Sequence, residues 1–178
     1  MNVYLKLIPL CLTTLCCAIA VPALTPTSIL ARADKTARAT PTCNASQLSV
    51  KVDPNFSDAA MGGQRGDSFI VTNISKRSCT INGQPGVELL DSHGKTMGSV
   101  YKAMAGTEVK LKPRGRATFE IGYHSCQYVA EASGRSPKKC KLSSTIKIHF
   151  ADIKGMFTLR YKVDVDKEIE QVMDLEAK

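Results

Sequence analysis

From Leu48 onward, apolar and polar residues alternate along most of the chain, and alternation with period two marks a strand that buries one face. Leu48, Val50 and Val52 enclose Ser49 and Lys51 before Asp53-Pro54-Asn55 breaks the run. Phe69 to Thr72 and Val87 to Leu90 read as further strands, and Met97 to Tyr101 as a short edge strand. Val109 and Leu111 then alternate with Glu108, Lys110 and Lys112. Pro113-Arg114-Gly115 turns the chain, and Ala117, Phe119, Ile121 and Tyr123 return on one face, so this stretch predicts a hairpin. Ile146, Ile148 and Phe150 form another strand, and Phe157 to Val165 a long last one. Asn82-Gly83 and Pro85-Gly86 predict tight turns.

After Val165 the period changes. Val165, Ile169, Val172 and Met173 recur at helical intervals within an acidic stretch, which predicts a short amphipathic C-terminal helix in residues 166–178. The strand runs, about seven or eight in number, carry turn signals at regular spacing. They predict an all-β domain over 43–165: an antiparallel β-sandwich of immunoglobulin-like type. The chain has no tryptophan, so the antibody hallmark of a core indole is missing and only the architecture is expected.

The beginning of the chain has another character. One positive charge, Lys6, precedes a mostly apolar run from Leu7 to Leu24, the layout of a secretory signal peptide. Residues 1–23 are the expected signal, with cleavage as late as residue 33. Residues 24–42, rich in Thr, Ala, Pro and Arg, are expected to be a flexible tether. The expected location is secreted, periplasmic or at the cell envelope, with no stable membrane span after cleavage.

The cysteines agree with export. Three of the seven, Cys11, Cys16 and Cys17, lie in the apolar leader. Cys43, Cys79, Cys126 and Cys140 make an even set that allows three pairings in an oxidising compartment. The expected pairs are Cys43 with Cys79 and Cys126 with Cys140, the latter closing a hydrophilic, basic loop. No C-x-x-C pair argues for a metal, and neither a metal nor a cofactor is expected.

Motifs for catalysis are missing. The chain has no G-x-S-x-G elbow and no H-E-x-x-H helix. Of the three histidines, His93 falls in a turn and His149 alternates outward from a strand. His124, two residues before Cys126, is the one place where a hydrolase could be built. Arg65-Gly66-Asp67 is the tripeptide that integrins recognise, but three residues match cheaply, and here they read as a turn before a strand.

The formal charge of +8 is spread along the chain and accompanies no nucleic-acid motif or interleaved aromatics, so nucleic acid is not an expected partner. Lys110, Lys112, Arg114 and Arg116 lie on the predicted hairpin, and Arg135, Lys138, Lys139 and Lys141 in the predicted disulfide loop. Together they would form a patch for an anionic polymer of a cell envelope.

Asn73-Ile74-Ser75 before Cys79-Thr80-Ile81, then Gly83-Gln84-Pro85-Gly86-Val87, Asp91 through Gly94 and Val109 through Ala117, closely resemble the secreted proteins grouped as domain of unknown function 4232. The resemblance covers roughly Cys43 to Phe150. It implies an exported bacterial immunoglobulin-like domain, often of lipoprotein type, with no established activity and no catalytic residues to transfer. The expected function is thus a non-catalytic exported module that binds an extracytoplasmic protein or anionic envelope polymer. The alternatives are a protease inhibitor presenting the Ser125–Cys140 loop and a hydrolase using His124.

Overall fold

The computed structural model describes residues 39–56, 64–98, 100–136 and 140–178. The expected signal peptide, most of the tether, and Lys138 and Lys139 of the expected basic patch lie outside the described residues. Pro41 and Thr42 belong to the domain's hydrogen bonding: the Pro41 carbonyl accepts from Thr80 N–H, and Thr42 bridges to Thr80.

The alternating runs become strands β1 (Leu48–Val52), β2 (Gln64–Asn73), β3 (Cys79–Gln84), β4 (Gly86–Leu90), β5 (Met104–Leu111), β6 (Arg116–Ser125), β7 (Thr145–His149), β8 (Phe157–Arg160), β9 (Val165–Val172) and β10 (Glu176–Ala177), joined among the described residues by one α-helix, α1 (Cys126–Ala132), and a 3-10 turn at Ala45–Gln47. One sheet has the order β1-β2-β6, with β9 and β10 both on the far side of β6. The others pair β3 with β5, and β4 with β7 and β8. Every pairing of named strands is antiparallel. The fold is all-β and sandwich-like, as the alternation predicts.

The core compensates for the missing tryptophan with a run of rings. Phe69 and Phe119, opposite each other in the β2–β6 ladder, stack with centroids 5.1 Å apart. Tyr161 packs against Phe69 at 5.5 Å, and Phe150 meets Phe119 edge-on at 6.4 Å. Phe157 continues the series at 5.9 Å from Phe150. Such pairs contribute about 0.5–1.5 kcal/mol each beyond burial.

Several local expectations are corrected. The predicted hairpin at Pro113–Gly115 is an arch: β5 pairs with β3 and β6 with β2, so the turn carries the chain from one sheet to another. Both strands turn an apolar face to the same core from different sheets, and an arch therefore shows the same alternation as a hairpin. Asn82-Gly83 lies within β3 at a register shift. Gly83 has φ +78°, and a Cβ there would sit 1.9 Å from the Met104 carbonyl oxygen, so this is a glycine bulge. Pro85 does end a ladder, since β3 and β4 on either side of it join different sheets. Instead of the short edge strand expected at Met97 to Tyr101, the described residues there show isolated bridges, Thr96 to Leu90 and Tyr101 to Val87. The long last strand divides into β8 and β9, which pair in different sheets.

The predicted C-terminal helix is a strand. β9 pairs with β6, with shifts of register between Gly122 and Tyr123 and between Tyr123 and Ser125. Val172 lies opposite Ile121, Ile169 opposite Tyr123, and Val165 opposite Ser125. The extra residues stretch the inward positions to intervals of three and four, which imitates a helix. The expected hydrophilic loop after Ser125, in turn, begins as α1, where the Ser125 hydroxyl accepts from Tyr128 N–H at 3.4 Å as an N-cap.

Candidate functional site

Both expected disulfides are formed, Cys43–Cys79 with Sγ–Sγ 2.02 Å and Cys126–Cys140 with 2.01 Å. Cys126, two residues from His124, is therefore not a free thiol. That side chain faces outward, and its Nε2 lies 3.2 Å from a Glu170 carboxylate oxygen. No helix among the described residues is long and apolar enough to cross a membrane. None of their His, Cys, Asp and Glu side chains form a group of three fit to hold a metal ion.

The expected basic patch divides. β6 runs ten residues from Arg116 to Ser125, about 30 Å at strand rise. Lys112, Arg114 and Arg116 lie at its start, whereas the disulfide-bonded segment leaves from its end. Arg135 pairs with Asp166 at 3.6 Å. Lys141 lines a separate cleft of about 400 Å³ with Asp91, Lys95 and Asp166.

At the start of β6, the structure supplies other partners. Asn73 ends β2 with no solvent exposure. Its Nδ2 donates to the carbonyls of Arg77 at 2.8 Å, Leu111 at 3.1 Å and Lys112 at 3.2 Å. Its Oδ1 accepts from the N–H and hydroxyl of Ser75. Its backbone exchanges bonds with Arg114 N–H and the Gly115 carbonyl. One asparagine thus fastens the loop 74–78 to the turn 112–115. Exposed Lys76, Arg77, Lys112, Arg114 and Arg116 are gathered there, and neither loop contains a carboxylate. None of the five is in an ion pair with a described residue; Arg116 comes closest, adding its field to the Asn55 N–H and Lys178 that hold the Asp53 carboxyl below its ordinary value. Arg114 has φ 63°, a region that favours glycine. Sequence reasoning missed Lys76 and Arg77, because only the pairing of distant strands brings them to this turn.

The opposite end is polar in another way. Arg65-Gly66-Asp67 is part of β2 rather than a turn, and the Asp67 carboxylate is not presented for adhesion. Its Oδ2 accepts from the hydroxyls of Tyr123 at 3.0 Å and Tyr161 at 2.5 Å. Alongside, Asp164 Oδ2 accepts from the Ser125 hydroxyl at 2.7 Å and Gln127 N–H at 2.9 Å. Between these groups opens a cleft of about 440 Å³, also lined by Phe56, Arg65, Tyr128 and Glu131.

Burial first, and then the neighbouring Asp67, push both tyrosine hydroxyls well above their ordinary value of 10.0. With the folded-state values raised, the native state holds these protons after the unfolded chain has begun to release them. Their stabilisation is complete below about pH 10 and declines as the pH rises further. Urea melts stepped upward from about pH 9 are expected to show stability falling at the alkaline end. A Tyr123→Phe/Tyr161→Phe protein should show a shallower decline, and equal slopes would contradict this account.

Among the described residues, ten strands without a long helix, braced by two disulfides, define a sandwich-like all-β domain of the disulfide-stabilised class. Within that class the chain belongs to the family described as Domain of unknown function (DUF4232), whose model matches residues 43–155. Comparisons with curated proteins and with solved structures find no match. The family match stops short of β8, so Tyr161, Asp164 and β9 come from a segment beyond it.

Proposed function

We propose that the protein is a non-catalytic, exported binding module that holds an anionic polymer of phosphate or carboxylate type on its basic tip. The observation that carries this reading is the tip itself: four exposed cations on two loops tied through Asn73, a fifth, Arg116, at the start of β6, and no acid in either loop. Fixing the loops in advance lowers the entropy lost when a partner is bound. The left-handed Arg114 adds weight, since backbone strain that glycine would relieve favours a role for the side chain. The leader pattern and the two disulfides support export. The inhibitor reading has less behind it. Residues 126–132 of the bridged segment are helical, whereas recognition by strand addition requires an extended backbone.

Polyglycerol phosphate and poly-glutamate, immobilised and tested at rising salt, serve as probes. Wild-type protein is expected to bind at low ionic strength and to be released as screening shortens the reach of its charges. A Lys112→Ala/Arg114→Ala/Arg116→Ala protein should lose most of that binding with its melting temperature little changed. Equal binding by the variant, or none by the wild type, would refute the proposal.

A further inference from the structure

The cleft at the far end of β6 is separate from the basic tip, and its chemistry suits another ligand. At about 440 Å³ it lies within the range of small-ligand sites. Its two carboxylates are held in place: Asp67 by two tyrosine hydroxyls, Asp164 by a hydroxyl and a backbone N–H. Each uses Oδ2 for these bonds, and no donor on a described residue reaches either Oδ1. Each carboxylate therefore has an acceptor left over, already oriented. Arg65, exposed on the same wall, brings a fork of N–H donors. Phe56 and Tyr128 add aromatic surface, with Tyr128 44% exposed.

These groups select by elimination. A simple anion would meet Asp67, Asp164 and Glu131, and a simple cation, though drawn by these acids, would leave the Arg65 donors unused. A neutral ligand rich in hydroxyls tolerates both signs, because each hydroxyl donates to a carboxylate and accepts from a guanidinium. Its C–H faces can lie against an aromatic ring. We propose that this cleft is a saccharide-binding site, with Asp67 and Asp164 as acceptors, Arg65 as donor and Tyr128 as the stacking ring.

The test is a titration of the disulfide-bonded protein, followed by amide chemical shifts, with glucose, mannose, galactose and N-acetylglucosamine. Ethanolamine and inorganic phosphate are the cationic and anionic controls. At least one sugar is expected to saturate, with shifts centred on Arg65–Asp67 and Ser125–Tyr128. Arg65→Ala and Tyr128→Ala should each weaken it about tenfold. Both side chains are exposed, so the variants are expected to fold, which their melting curves will show. Lys112→Ala at the basic tip should leave sugar affinity unchanged, which keeps this result independent of polyanion binding. The proposal is overturned if no sugar saturates, if the shifts centre elsewhere, if both cleft variants keep full affinity, or if only a control ligand binds.

Discussion

Replacing Cys43 and Cys79 together with alanine is expected to lower stability by about 4 kcal/mol, the loop-closure value for a bridge across about 37 residues. The two residues are 36 apart in sequence and almost wholly buried. Cys79 opens β3 opposite Leu111, and Cys43 N–H donates to the Thr80 carbonyl. The bond thus fastens the approach to β1 onto the β3–β5 pair, joining strands of different sheets. Lost packing at the two sulfurs adds to the entropic term. The matching Cys126→Ala/Cys140→Ala protein should lose about 3 kcal/mol, because its loop is shorter, and should disturb mainly α1. At about 2–4 °C per kcal/mol for a domain near this size, the first variant is expected to melt some 8–16 °C below wild type. Calorimetry of the two variants decides the matter: a larger loss from the Cys126 pair would contradict the assignment of Cys43–Cys79 as the central brace. Together the bridges supply about 7 kcal/mol, comparable with the whole stability of many domains. That physical dependence fits an oxidising compartment better than a reducing one.

The inward face of nearly every strand was legible, because Leu48, Val50, Phe69, Val71, Val109, Leu111, Ala117, Phe119, Ile121, Ile146 and Ile148 follow period two and are all buried. Which strand each one pairs with was not. The pattern of β5 and β6 is the same for a hairpin and an arch, and the decision lies in partners 20 or more residues away, β3 and β2. Bulges were misread in both directions: Gly83 resembled a turn, and the shifts along β9 gave Val165, Ile169 and Val172 helical spacing. α1 had a signal of its own, an N-cap serine at 125 and Gly134 in the left-handed region shortly after its last turn. A polar segment between two cysteines concealed it. For the sites, the cations of the turn at 112–116 were visible as charges, but their separation from Arg135 and Lys141 was set by the length of β6. Asp67 and Asp164 lie 97 residues apart in stretches that look like ordinary strand and turn. Only folding places them across one cleft.

Asn73→Ala is expected to cost about 3 kcal/mol or more, although it removes only one small side chain. The three carbonyls that Nδ2 serves, at Arg77, Leu111 and Lys112, lose their donor where the ladders of β2 and β5 end. Ser75 loses the acceptor for both its N–H and its hydroxyl. The backbone bonds of residue 73 to Arg114 and Gly115 do not need the side chain, so the turn at 112–115 should keep its shape while the loop at 74–78 comes loose. Asn73→Asp separates the two functions of the amide. It keeps an acceptor for Ser75 but sets a second oxygen against three carbonyl oxygens in a site without solvent exposure. The aspartate is therefore expected to be at least as harmful as alanine near neutral pH, and to recover partly in acid as its carboxyl takes up a proton and becomes a donor. Denaturant melts would measure the losses, and amide exchange at Ser75 the loosening. An alanine protein within about 1 kcal/mol of wild type, or an aspartate protein no better in acid, would show that the asparagine does not tie the two basic loops together. The tip would then be two independent loops, and the argument for a surface organised in advance of its partner would lose its basis.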